Sequence, residues 1–311
     1  MKVINFDQKY MDELLQCWNS TLQYDPITKE RFIDSVLLDD NFQSELLKLA
    51  IVDDHCVGFC YGVKRKVPYL ERGLEPQRGW ISIMAVCEEY QTQGIGTQLL
   101  EEVEHELKEK GATNITLCAY SPNYFTPGVD IRYENALSFF NKRGYINTGE
   151  AVSMQRDLWD YTLPQKTKEK IGLLKNEGIR FIPYQEDYLC ELLEFLSINF
   201  GAGWKRNALM AMQKKEAEKT IILCVDKNDK IIGFVMRKID GNDARFGPIG
   251  VREDLRSKGL GGVLLDVMMY DMKSRGINYL YFLWTSGAAQ RFYDRHGFAI
   301  FRSYHLFRKE F

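Results

Sequence analysis

The sequence predicts an α/β (α+β) chain built as two tandem domains, and three observations carry that prediction. A short apolar strand, a glycine turn and an amphipathic helix occur in that order twice. From the end of the strand through the helix, the two copies keep a constant offset of 165 residues. Upstream of each copy lie a matching hairpin pattern and a matching first helix.

The first turn reads Gln91, Thr92, Gln93, Gly94, Ile95, Gly96 and runs into Thr97; the second reads Arg256, Ser257, Lys258, Gly259, Leu260, Gly261 and runs into Gly262. Glycine permits positive φ and lets a ligand reach the main chain without a Cβ in the way. The first amides of a helix have no internal partner and carry a partial positive charge. Such a turn holds an anion, and a pyrophosphate suits it well. A single match of this kind arises by chance in roughly a third of chains of this length, so the recurrence carries the weight.

The surroundings repeat as well. Val86 and Val251 precede the turns at equal distance, and Leu99, Leu100, Val103 and Leu107 correspond to Leu264, Leu265, Met268 and Met272. That spacing is one apolar face of a helix. Gly111 and Gly276 are placed to close the two helices, and the runs from Ile115 to Ala119 and from Tyr279 to Trp284 follow as short strands. Lys48 to Tyr61, turning at Asp53 and Asp54, and Ile221 to Arg237, turning at Asp226 to Asp229, read as hairpins. Tyr10 to Trp18 and Tyr188 to Phe195 read as first helices. The expected division is 1–158 for the N-terminal domain, 159–177 for a linker and 178–311 for the C-terminal domain. Pro164 is suited to open a linker helix, and the lysine-rich stretch Gln165 to Asn176 is expected to be a solvated connector across the two halves.

The two main helices differ on their outer faces. Glu101, Glu102, Glu104, Glu106, Lys108 and Glu109 predict a face turned to water. The second helix adds Val263, Val267, Met269 and Tyr270 to its core stripe and is apolar nearly all round, so it is expected to pack against the first half or a second subunit. A monomer or a homodimer fits that expectation.

Composition bounds the partners. With 45% hydrophobic and 27% charged residues, 311 residues suit two ordinary cores. A net charge of −2 argues against nucleic acid as a partner. No apolar run reaches membrane-spanning length and the opening residues lack a signal-peptide pattern, so no membrane partner and a cytoplasmic location are expected. The seven cysteines contain no Cys-x-x-Cys pair and read as reduced and mostly buried. The four histidines show no metal-ligand spacing, and no metal is expected.

After each second strand comes the pattern Ala-x-x-aromatic-aromatic-x-x-x-Gly-aromatic. It stands as Ala136, Phe139, Phe140, Gly144 and Tyr145, and again as Ala289, Phe292, Tyr293, Gly297 and Phe298. Together with the two turns, this resembles the GCN5-related N-acetyltransferase (GNAT) superfamily over nearly the whole chain, in a tandem arrangement similar to that of mycothiol synthase. The resemblance implies that each domain is a mixed, mostly antiparallel central sheet flanked by helices. Two central parallel strands would splay at the helix N-terminus, with acetyl-coenzyme A in the notch. It implies cofactor contacts from Val251, Arg256, Ser257, Lys258, Gly259, Leu260, Gly261, Gly262 and Ser286 in the second half. In the first half it implies contacts from Val86, Gln91, Thr92, Gln93, Gly94, Ile95, Gly96 and Thr97.

The family's chemistry is direct attack of an amine on the thioester, with a tyrosine as general acid. That place falls on Tyr293 in the second half and on Phe140 in the first. A phenyl ring cannot donate a proton, so the C-terminal half is expected to catalyse and the N-terminal half to be degenerate. Two features depart from the pattern. Tyr133 and Ser286 stand where the family often has asparagine, and the first half carries an extra loop from Ser121 to Arg132. That loop either lines an acceptor pocket with Tyr124, Phe125, Asp130 and Arg132 or packs under the other half, and Tyr124 or Tyr133 could replace the missing acid. Glu253, Asp254, Asp240 and Asp243, with Glu88 and Glu89 in the first half, are base candidates that are otherwise surface charges.

The predicted function is acetyl transfer from acetyl-coenzyme A to a primary amine of a small molecule. The alternatives are a non-catalytic acyl-coenzyme A sensor and acetylation of a protein. A dinucleotide-binding enzyme is excluded because Leu99 and Leu264 take the place of the third glycine, and a P-loop enzyme because Gly-Lys-Ser/Thr is absent.

Overall fold

The computed structural model describes residues 1–311, the side chains of Ala202 and Ser257 excepted. In chain order the main elements are β1 (Lys2–Asn5), α1 (Met11–Thr21), α2 (Lys29–Phe32), β2 (Leu47–Val52), β3 (His55–Val63), β4 (Arg78–Val86), α3 (Ile95–Glu109), β5 (Asn114–Leu117), β6 (Val129–Asp130), α4 (Glu134–Asn141) and β7 (Ile146–Asp157). There follow α5 (Gln165–Asn176), β8 (Arg180–Pro183), α6 (Leu189–Asn199), α7 (Ala202–Gln213), α8 (Ala217–Thr220), β9 (Ile221–Val225), β10 (Ile231–Arg237), β11 (Phe246–Val251), α9 (Leu260–Ser274), β12 (Tyr279–Thr285), α10 (Gly287–Asp294) and β13 (Ala299–Glu310). The expected hairpins are β2–β3 and β9–β10. Asp53 and Asp54 take φ of 48° and 62°, the left-handed pair that a two-residue hairpin turn requires.

The chain forms two compact units. Unit 1 holds Met1–Ala151 together with Ser303–Phe311, and unit 2 holds Val152–Arg302. Both β7 and β13 are long strands whose two ends belong to different units.

In unit 1 the sheet order is β1-β2-β3-β4-β5-β13-β7, with β6 pairing β13. β4 and β5 run parallel, from Arg78 opposite Asn114 to Ile81 opposite Leu117; β1 to β4 pair antiparallel in sequence. One face packs on α1 and α2 through Trp18, Phe32, Phe59 and Trp80. The other packs on α3 through Leu99, Leu100, Val103 and Leu107. Not all of the acidic face of α3 meets water: Glu104 accepts from the Tyr145 hydroxyl and from Lys309 Nζ, each at 2.7 Å.

In unit 2, β8 to β11 form an antiparallel sheet in the order β11-β10-β9-β8, and β12 pairs antiparallel with the later half of β7, Tyr279 opposite Asp157. A single parallel bridge, Arg245 to Tyr281, links the β11 and β12 segments. One core lies under α6 and α7, with Leu192, Leu196 and Phe234. The other lies under α9.

On the apolar outer side of α9, Met269 and Val263 are buried and Val267 is partly buried, whereas Tyr270 is 52% exposed. Met269 is fully buried, and the core around it contains Leu158, Tyr161 and Leu174. The stretch expected to be a solvated connector is therefore part of unit 2, with α5 seated on α9. Its polar anchor is Asp266, which accepts from the Tyr161 hydroxyl at 3.0 Å and the Thr167 hydroxyl at 2.5 Å.

Candidate active site

Each unit presents the notch in the same way. In unit 1 the parallel pairing ends at Ile81 and Leu117, yet β4 continues to Val86 while Cys118 and Ala119 turn away with φ of 57° and 53°. In unit 2 the bridge at Arg245 and Tyr281 is followed by the whole of β11 without a further pairing to β12.

The helix that faces each notch begins at a glycine. Gly94 and Gly259 cap α3 and α9 with φ of 85° and 76°, in the left-handed region. The first helical bonds are Gln98 N to Gly94 O and Val263 N to Gly259 O, so among the described residues the amides of Ile95, Gly96 and Thr97, and of Leu260, Gly261 and Gly262, have no main-chain partner. Thr92, Gln93, Arg256 and Lys258 are exposed on the turns. The expected contact of Ser257 lies outside the described residues.

Two expected cofactor residues have a job that sequence reasoning missed. Gln91 Nε2 donates to the Val86 carbonyl at 2.9 Å, and Arg256 Nε donates to the Val251 carbonyl at 3.3 Å. Each side chain latches its turn to the end of the incoming strand. The equal spacing of the two pairs was the available signal.

On the far side of the notch stand α4 and α10. The Tyr293 ring lies 4.4 Å from Phe282, 5.2 Å from Phe292 and 5.3 Å from Phe298, centroid to centroid. Its hydroxyl makes no hydrogen bond among the described residues. Burial pushes its phenol above the ordinary tyrosine value, so the group keeps its proton. Phe140 takes the same place in unit 1 and packs edge-on to Tyr145. Ser286 caps α10 without a side-chain cap bond and is exposed.

The base candidates are engaged elsewhere. Asp254 pairs with Arg252 at 2.7 Å, Asp243 with Arg237 at 3.1 Å and Asp240 with Arg245 at 3.4 Å. Glu253 is exposed and lies 3.9 Å from Arg256. The extra loop packs within unit 1: Phe125 stacks edge-on against Trp18 at 5.2 Å, and Asp130 holds Arg132 by two bonds of 2.9 and 2.6 Å. Tyr133 donates to Asp25 at 3.0 Å and accepts from the Tyr24 amide at 3.1 Å, an arrangement that occupies the hydroxyl considered as a substitute acid.

In both units a strand that runs on past its parallel neighbour ends at bare helix amides, an arrangement that suits an anion. The family model described as acetyltransferase (GNAT) family matches residues 7–126 and 189–298, and the chain belongs to that family as a tandem GNAT acyltransferase. Members of this family use acetyl-coenzyme A. Among solved structures, the chain is similar to a glucosamine N-acetyltransferase region of a fungal multi-domain β-N-acetylglucosaminidase, at 22% identity and a TM-score of 0.81, covering 99% of this chain and 38% of that one. It is also similar to a GCN5-related N-acetyltransferase from Sphaerobacter thermophilus, at 15% identity and a TM-score of 0.73, covering 99% and 95%. A tandem GNAT protein of the clavulanic acid pathway matches at 12% identity and a TM-score of 0.64, covering 99% and 98%. At these identities the likeness is one of fold. No curated protein matches the chain in sequence. No helix among the described residues is long and apolar enough to cross a membrane.

Proposed function

We propose that the chain moves an acetyl group from acetyl-coenzyme A to the primary amine of a small molecule, and that unit 2 carries the reaction with Tyr293 as general acid. The donor supplies a thioester carbonyl open to direct attack by the amine. The bare amides of Leu260, Gly261 and Gly262, with Lys258 beside them, fit a pyrophosphate. The unpaired edge of β11 up to Val251 suits the pantetheine arm, and the free Ser286 hydroxyl can donate to it. Tyr293 Oη holds a proton for the leaving sulfur, and general acid help of this kind is worth about 10² to 10⁴ in rate. Unit 1, with Phe140 in that position, has the same cradle without the proton donor.

The observation that supports this reading most is the state of Tyr293: its ring is held by Phe246, Phe282, Phe292 and Phe298, its hydroxyl makes no hydrogen bond among the described residues, and burial keeps it protonated. The test is thiol release from acetyl-coenzyme A with a panel of amines. The panel includes polyamines, a peptide N-terminus and glucosamine, the last because the fungal region of like fold is named for it. Tyr293→Phe keeps the ring packing and removes the proton. It should lower kcat at least tenfold, and an unchanged kcat and pH profile would overturn the assignment.

A further inference from the structure

Unit 1 contains a buried polar cluster that acetyl transfer by unit 2 does not use. Tyr120, just beyond β5, donates to Asp39 Oδ1 at 3.0 Å and accepts from Asn41 Nδ2 at 2.8 Å. The same Asp39 oxygen takes the Asn41 amide at 2.7 Å, and Oδ2 takes Asn123 Nδ2 at 2.7 Å. The Arg65 guanidinium lies 4.9 Å from the Trp80 ring and 5.1 Å from the Tyr120 ring. Its Nε donates to Glu75 at 2.9 Å and its Nη2 to the Ser121 carbonyl at 2.7 Å. Arg78 lies 5.0 Å from the same Trp80 ring and takes the other Glu75 oxygen at 3.2 Å.

Around this core, four polar atoms are buried without a hydrogen-bond partner: Tyr61 Oη, Arg65 Nη1, Trp80 Nε1 and Ser82 Oγ. None of these residues is more than 5% exposed. Tyr61 and Trp80 lie on the face of the sheet that packs on α1 and α2, Arg65 stacks on the same Trp80 ring, and Ser82 falls in the irregularity of β4 between Ile81 and Ile83. The indole and guanidinium nitrogens can only donate, and both hydroxyls are able to. Each buried polar atom left unmatched costs about 1–3 kcal/mol, so the three on this face, Tyr61 Oη, Arg65 Nη1 and Trp80 Nε1, favour an acceptor-rich guest.

The protein's own acceptors nearby are taken, since both carboxylates of the cluster already bind their partners. The charges do not cancel either. Arg65, Arg78 and Lys64, whose Nζ reaches the Arg78 carbonyl at 3.3 Å, outnumber Asp39 and Glu75, and Arg72 and Arg308 add positive charge beside Arg78. Burial and then Asp39 push the Tyr61 and Tyr120 phenols upward, so neither supplies the missing negative charge. A surplus of positive charge with several free donors, one of them on a planar guanidinium fork, fits the planar two-oxygen face of a carboxylate.

We propose that this cluster binds the carboxylate of a small molecule in unit 1. The test reads binding rather than turnover, so its outcome is independent of the role of Tyr293. The full chain is titrated by calorimetry with acetate and succinate, with their neutral isosteres acetamide and succinamide, and with inorganic phosphate. The carboxylates should bind at least tenfold more tightly than the amides. Arg65→Gln should remove that preference, and Trp80→Phe, which keeps ring and charge but deletes Nε1, should weaken it severalfold. Circular dichroism checks that each variant is folded; if Arg65→Gln is not, Trp80→Phe decides. Equal binding of carboxylate and amide, binding of neither, tighter binding of phosphate than of any carboxylate, or an unchanged preference in the folded variants would overturn the proposal.

Discussion

His296 Nε2 lies 3.1 Å from the place that a Cβ on Gly262 would occupy. In unit 1, the corresponding pair is Arg143 and Thr97, where the guanidinium donates to the Thr97 hydroxyl and sits 3.6 Å from the Phe139 ring. Each unit thus matches the residue before its motif glycine to the first turn of the helix that opens the notch. His296 is fixed from behind, because Nδ1 donates to the Phe292 carbonyl at 2.8 Å. Gly262→Thr alone should cost about 1–3 kcal/mol through overpacking. Adding His296→Arg, which recreates the unit 1 pair, should recover part of it as a coupling of about 0.5–3 kcal/mol. Urea denaturation of the four members of the cycle measures this, and strict additivity would mean that the two positions are not matched.

The latch from Arg256 to the Val251 carbonyl predicts a separate phenotype. Its loss in Arg256→Ala should free the turn by about the net worth of one hydrogen bond, roughly 0.5–1.5 kcal/mol. With the turn holding the pyrophosphate as proposed, the change should raise the KM for acetyl-coenzyme A about three- to tenfold and leave kcat near its starting value. Gln91 makes the same contact in unit 1, so Arg256→Gln should restore most of the loss. If Gln is no better than Ala in steady-state kinetics, the charge rather than the latch is what matters.

The parts of the fold that rest on local patterns were legible. The Asp53–Asp54 turn, the glycine starts of α3 and α9 and the aromatic helices each depend on a few adjacent residues, and they stand where the sequence places them. What was hidden depends on long-range partners. Leu158, Tyr161 and Leu174 cover α9, but a lysine-rich helix with a weak apolar stripe reads as solvated until Asp266 is seen to anchor it. The exchange of strand ends between β7 and β13 leaves no mark, because both strands pattern identically whichever sheet receives them. At the site, the notch and Tyr293 came from motif positions. The cluster around Tyr120 did not, because Asp39, Arg65, Trp80 and Tyr120 meet only through the sheet.

Buried tyrosines set an alkaline limit on stability. Burial raises the phenols of Tyr61, Tyr120, Tyr145, Tyr161 and Tyr293 above their ordinary value. A group whose folded pKa is raised contributes stability that is complete below its unfolded value, near 10, and is lost as the pH climbs towards the folded one. Tm should therefore be insensitive to these groups up to about pH 10 and fall steeply above it, with tyrosinate absorbance appearing together with unfolding rather than before it. The same shift bears on catalysis. An acid that stays protonated produces no alkaline limb in kcat/KM below about pH 10; a limb at lower pH that vanished in Tyr293→Phe would contradict the upward shift of its phenol, and one that persisted unchanged would belong to another group.

The C-terminal strand end predicts that the first half cannot stand alone. Arg308, Lys309 and Glu310 pair with Thr116, Ile115 and Asn114 of β5, Phe307 is 1% exposed in the unit 1 core, and Lys309 binds Glu104 at 2.7 Å. A fragment of residues 1–158 lacks all of these and leaves the edge of β5 unpaired, a template for association. It should be aggregated or show no cooperative unfolding by circular dichroism and size-exclusion chromatography, and residues 299–311 supplied as a peptide should restore a transition. In the full chain, Phe307→Ala should cost about 3–5 kcal/mol, the usual loss for a fully buried phenylalanine. A fragment that unfolds cooperatively without the peptide would show that unit 1 completes its sheet in another way, and a Phe307→Ala loss well under 1 kcal/mol would say the same of the core.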